Sequence, residues 1–157
     1  MKKIKNPWEG LEEIGYNCFG CAPHNEAGLK MEFYEDGDDI VSTWMPEPQF
    51  QGWVNTLHGG IAATLLDEIA AWVIARKVQR AAMTVNLNVR YRHPVSTLKP
   101  VEVRARIKDQ RRSLVIIEEE LIQDGQVCDT AEATYFCFNE EQSVNEFHFR
   151  GCELEEE

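Results

Sequence analysis

The sequence predicts an α+β fold, an antiparallel sheet packed on a single long helix, and three observations point to it. Residues 59–78 hold no proline and are rich in Ala, Leu and Ile, the composition of one uninterrupted helix. After them, apolar residues recur at every second position in successive segments, the period of a strand. Before them lie two short strand candidates on either side of a turn.

Taken in order, residues 6–29 contain Pro7, Gly10, Gly15, Gly20, Pro23 and Gly28, breakers dense enough to limit them to a short helix and a loop. Residues 30–34 and 39–44 are the two early strands, joined by Glu-Asp-Gly-Asp with Gly37 available for positive φ; Pro46 and Pro48 end the second. In residues 82–92 the side chains of Met83, Val85, Leu87, Val89 and Tyr91 are expected on one face. Thr84, Asn86, Asn88, Arg90 and Arg92 are expected on the other, and Pro94 closes the strand. Val101, Val103, Ala105 and Ile107 alternate with polar residues, residues 114–123 form a β-branched run, Asp124-Gly125 is a turn, and residues 130–138 complete the meander. The chain reads as one domain over residues 1–157, with a helix and loop at 1–29 and an acidic tail at 139–157, whose last five residues, 153–157, are expected to be solvated.

With 157 residues and 43% hydrophobic content, the chain has material for one core. No segment approaches the roughly 18 apolar residues of a membrane span, and the opening residues lack the apolar stretch of a secretion signal, so a cytoplasmic location is expected. Five cysteines at irregular spacings argue against a disulfide framework. A formal net charge of -11 speaks against nucleic acid as a partner. Residues 76–112 nevertheless hold eleven Lys and Arg against Glu102 and Asp109, a local balance of +9 that leaves the remainder at -20. Clustered in the fold, those bases would hold a polyphosphate; dispersed, they are solvated strand faces.

On the helix, Gly60, Ala63, Thr64, Asp67, Ala70 and Ala71 recur at spacings of three and four and form one stripe, small throughout except for Asp67. Ile61, Leu65, Ile69, Trp72 and Val73 lie to the side for packing. Two glycines at a helix start cost about 1 kcal/mol each relative to alanine in a helix interior. Free N–H groups and the positive end of the helix dipole lie in that first turn, so His58-Gly59-Gly60 reads as a place where a carbonyl oxygen gaining negative charge is stabilised. Asp67 is about two turns further on the same stripe. Glu68 points roughly 100° away, toward solvent or a salt bridge.

The strings Phe50-Gln51-Gly52, His58-Gly59-Gly60 and Leu66-Asp67-Glu68, followed by Val89-Arg90-Tyr91-Arg92-His93-Pro94-Val95, resemble the hotdog-fold acyl-CoA thioesterases of the phenylacetate-pathway type. The stretch from Cys18-Phe19-Gly20-Cys21 to Gly28-Leu29 resembles an N-terminal segment of one branch, and the likeness covers roughly residues 16–138. The resemblance implies a curved antiparallel sheet around one long helix, and an active site formed between two subunits of a homodimer, with a dimer of dimers as a further arrangement. It implies that Gly59 donates its N–H to the thioester oxygen, that His58 and Gly60 shape the turn, and that Asp67 from the partner subunit is general base or nucleophile. Thr84 corresponds to a hydroxyl residue that orients water. Some members carry an Asn where this chain has Gly52, so Gln51 or Asn55 would take its place, and Phe50, in the same loop as Trp53, is counted with them among the substrate-binding candidates. Coenzyme A enters as part of the substrate, with no separate cofactor, and Arg90, Arg92, Arg111 and Arg112 are the residues chosen to hold its phosphates.

Cys18-x-x-Cys21 followed by His24 has the spacing of half a zinc site, but no second pair follows at finger spacing, so no metal is expected and the loop is read as packing beside the substrate channel. Two other functions stay open at this stage: a hotdog hydratase or dehydratase, and a non-catalytic acyl-CoA sensor.

Overall fold

The computed structural model describes residues 1–157. Seven strands, β1 (Lys2–Lys3), β2 (Tyr34–Asp36), β3 (Asp39–Trp44), β4 (Ala82–Tyr91), β5 (Val101–Arg111), β6 (Leu114–Gln123) and β7 (Gln126–Cys137), form one antiparallel sheet in the order β1-β2-β3-β5-β6-β7-β4. The helix α1 (Gly59–Lys77) packs on one face of it. Its Leu65, Leu66, Ile69, Val73 and Ile74 are wholly buried, against Val103, Val115, Ile117 and Leu121 of the sheet. This is the expected architecture, and the flanking large residues of the helix do the packing.

The ends differ from expectation. Residues 6–29 hold only a single 3-10 turn at Glu12–Ile14, because Gly10 and Gly15 sit at φ 87° and 102°, outside the helical region. The acidic C-terminus keeps its last glutamates exposed, as expected, but its backbone is anchored. Asn139 caps a short helix, α2 (Glu140–Asn145), accepting from the Gln142 N–H at 2.8 Å. The chain then runs back along β1, where Lys5 N–H donates to the Glu153 carbonyl and Glu155 N–H to the Lys3 carbonyl, both at 2.9 Å. Phe149 and Cys152, spaced among the acids, are buried and hold this return in place.

One irregularity positions the site. Along β4, Thr84 pairs with Tyr135 but Asn86 pairs with Thr134, so Val85 is an extra residue without a partner on β7. A bulge of one residue exchanges the faces of the strand beyond it. Thr84 therefore faces α1 together with Leu87, Val89 and Tyr91, whereas Met83 and Val85 stand away from the core at 53% and 55% exposure. The single unbroken alternation expected for this strand is corrected by that bulge. β4 is also an edge strand, so one side of its backbone is unpaired.

Candidate active site

Two features of α1 face the open side of the fold. At its start, His58 folds its own ring over the first turn, and Nδ1 accepts from the Gly60 N–H at 2.8 Å. A Cβ on Gly60 would lie 3.1 Å from that nitrogen, so the glycine makes room for the cap. The Gly59 N–H has no acceptor, while the Gly59 carbonyl accepts from the Tyr91 hydroxyl at 2.7 Å. Of the two glycine amides, only Gly59 is left to serve a ligand, with Tyr91 bracing the peptide behind it.

Further along, the carboxylate of Asp67 is oriented by two hydroxyls. Thr84 Oγ1 donates to Oδ1 at 2.8 Å, and the Tyr135 hydroxyl is in reach of the same oxygen and of the Asp67 carbonyl. Burial, then the Asp67 charge, push the Tyr135 phenol well above its ordinary range, so it stays a donor. Oδ2 has no protein partner and is free to act. Around it, Gly60 is exposed and Ala63, Thr64 and Ala71 are half-buried, so the small-residue stripe is uncovered; Ala70 alone of that stripe turns into the core. Sequence reasoning missed Tyr135, 68 residues from Asp67.

It also missed Glu119, which is 2% exposed on β6 and has no partner on either carboxyl oxygen. Burial first, and the nearby Asp67 second, push its carboxyl up to about 9, so it is a neutral acid at pH 7. From about 4.5, where an unfolded glutamate loses its proton, up to 9, the folded chain holds a proton that the unfolded chain releases, so stability falls as pH rises across that window. At about 1.4 kcal/mol per pH unit this amounts to roughly 3 kcal/mol by pH 7. Glu119→Gln is expected to flatten that slope. Denaturant unfolding of both proteins at pH 5 and pH 7.5 checks it; a difference between the two proteins that is the same at both pH values refutes the assignment.

The other expected site residues are distributed as follows. Phe50 is a correction: its ring is buried against Trp44 at 5.5 Å and belongs to the core. Gln51 Oε1 accepts from the Asn55 N–H at 3.1 Å, which closes the loop between them and leaves Trp53 and Val54 exposed at 85% and 79%. Asn55 itself sits at φ 58°. Glu68 is a second correction. It faces neither solvent nor a cation but the N-terminal loop, accepting from Trp72 Nε1 at 3.1 Å with Cys18 Sγ at 3.5 Å.

Of the two readings of the basic segment, ion pairing favours dispersal over a single cluster. Most of the basic segment is paired with acids from other elements: Arg76 and Lys77 with Glu35, Arg104 and Arg106 with Asp39, Lys108 with Glu132, and Lys99 with Asp124. Arg111 pairs with Asp109 at 2.9 Å. Arg90, Arg92 and Arg112 form no ion pair. Arg92 borders a cleft of about 430 Å³ that Gly59, Tyr91, His93 and Trp53 also line, whereas Arg111 and Arg112 lie at the β5–β6 turn, beyond the Thr84 end of β4. One protomer does not gather all four arginines at one place.

Residues 54–129, from the loop before Gly59 through most of the sheet, match the sequence model of the thioesterase superfamily. A solved thioesterase superfamily protein superposes with a TM-score of 0.72 at 23% identity over 76% of this chain. The fold is the hotdog fold, shared with that solved thioesterase superfamily protein. That first neighbour is longer, and the hotdog chain described here spans 60% of its length. A thioesterase from Haemophilus influenzae aligns with a TM-score of 0.68 at 18% identity, covering 86% of this chain and 92% of the other. A hypothetical thioesterase from Streptococcus pneumoniae, solved with coenzyme A, aligns with a TM-score of 0.65 at 18% identity, covering 69% and 89%. No curated protein matches this hotdog chain. No helix in it is long and apolar enough to cross a membrane.

Proposed function

We propose that this protein hydrolyses an acyl-CoA or aryl-CoA thioester to the free acid and coenzyme A. The observation that carries the reading is the pairing, on one open helix face, of an unclaimed Gly59 N–H with an Asp67 carboxylate whose Oδ1 is oriented by Thr84 and Tyr135 and whose Oδ2 is free. The thioester oxygen accepts from Gly59, at the positive end of α1, where the charge that develops during attack is stabilised. Asp67 acts as general base on a water held by Thr84, or attacks the carbonyl itself.

The site needs two chains. Eight residues of helix separate Gly59 from Asp67, about 12 Å at 1.5 Å per residue, whereas attack requires roughly 3 Å. Pairing two β4 edges antiparallel about Leu87 and Asn88 sets Thr84 opposite the partner's Tyr91. This carries the Asp67 of one chain toward the Gly59 of the other and covers the exposed Met83 and Val85. It also brings Arg111 and Arg112 of one chain toward Arg92 of its partner, so the phosphates of CoA are held from both sides.

The His58 ring is occupied as a helix cap, which speaks against its use as the base of a hydratase. Thiol release from a panel of short, medium, long-chain and aromatic CoA thioesters tests the proposal. Turnover of at least one class is expected. Tight binding of the panel without any turnover would refute hydrolysis and leave an acyl-CoA sensor.

A further inference from the structure

The cysteine pair that lacked a partner in the sequence meets one across the fold. Cys18, Cys21 and Glu68 each present one ligand atom, and the two sulfurs and the carboxylate oxygen lie within 4.8 Å of one another. Tetrahedral zinc, with thiolates at about 2.3 Å, keeps its ligand atoms roughly 3.8 Å apart, so an ion here needs the three to close by about 1 Å or less.

The loop is built to hold them there. The Ala22 N–H donates to the Cys18 carbonyl at 3.0 Å and closes the turn that carries both sulfurs. Leu29 N–H to the Phe19 carbonyl at 2.8 Å and Met31 N–H to the Gly20 carbonyl at 2.9 Å pin the segment from the other side. Gly20 lies directly on the carboxylate; a Cβ there would come within 2.4 Å of Glu68 Cδ. Three acidic groups are thus packed face to face, and Glu68 forms no ion pair with a lysine, arginine or histidine. Such an arrangement lacks a positive charge.

We infer that Cys18, Cys21 and Glu68 bind a divalent transition-metal ion, zinc by the softness and charge of the donor set, with a fourth position open to solvent. The open position follows from the cleft of about 580 Å³ that all three residues border, from which a water completes the tetrahedron. The ion ties the N-terminal loop to α1 at the residue next to Asp67, so metal binding stabilises the side of the helix that carries the site.

The experiment is metal loading of the full-length reduced chain with zinc or cobalt(II). About one ion per chain is expected, with the near-ultraviolet absorption of thiolate-bound cobalt, and zinc is expected to raise the thermal midpoint. Cys21→Ser should abolish the cobalt absorption, and Glu68→Gln should weaken affinity at least tenfold while the thiolate absorption persists at saturation. The wild-type cobalt spectrum is decisive even if a variant fails to fold. Absence of that absorption under stoichiometric loading overturns the inference. So does an ion retained by a folded Cys18→Ser, Cys21→Ser double variant, and so does a Cys18–Cys21 disulfide that persists in reducing buffer without zinc uptake.

Discussion

Asp67→Asn is expected to lower the turnover of CoA thioesters by about 10²- to 10⁴-fold with little change in KM or stability. Asparagine fits the same space and its carbonyl oxygen still accepts from Thr84 and Tyr135, so the scaffold around it is preserved. What disappears is the free Oδ2, the atom that takes a proton from water or attacks the carbonyl. Initial rates with the best substrate of the panel measure the effect, and activity within twofold of wild type would remove Asp67 from the chemistry. A single turnover in oxygen-labelled water separates the two roles. The base route delivers solvent oxygen to the product acid and none to Asp67; label recovered in Asp67 requires an Asp67–acyl anhydride that water opens at the Asp67 carbonyl.

The second large effect belongs to Gly59. Gly59→Pro is expected to lower turnover by about 10²- to 10³-fold, the cost of one lost oxyanion donor. Proline deletes the N–H and little else: Gly59 is the first helical residue, where proline is well tolerated, and His58 before it already has φ -63° and ψ 133°. Alanine is a useful control, since a Cβ at this position would meet only the Tyr91 ring at 3.6 Å and would keep the amide. The proline variant also tests the two-chain site. Mixed dimers of Gly59→Pro and Asp67→Asn chains contain one site with both groups intact, so co-refolding should restore about a quarter of wild-type activity, half of the sites in half of the dimers. Recovery no greater than the sum of the separate variants would place both groups of each site on one chain.

Much of this site was legible before any fold was known. The helix, its stripe of small residues, the glycine pair and Asp67 all lie within one local element, and the helical period alone places Gly60 and Asp67 on one face. Thr84 was found through a resemblance, although the expected alternation put it on the wrong face. The extra residue at Val85 reverses the strand there, and a bulge has no strong local signature. Tyr135 and Glu119 looked like ordinary members of strands, since nothing nearby in the chain marks a side chain whose only significance is the carboxylate above it.

Local sequence thus determined the helix, the order of the strands that follow it, the unclaimed amide at Gly59 and the carboxylate two turns beyond, because periodicity and glycine placement act over a few residues. Only the tertiary structure decided which charges are spent on one another, which hydroxyls reach Asp67, and that Glu68 turns to Cys18 and Cys21. Those outcomes depend on strand register and on loops returning across the sheet. A shift of one residue exchanges the two faces of a strand, and contacts 50 or 68 residues apart follow from how the whole chain closes on itself.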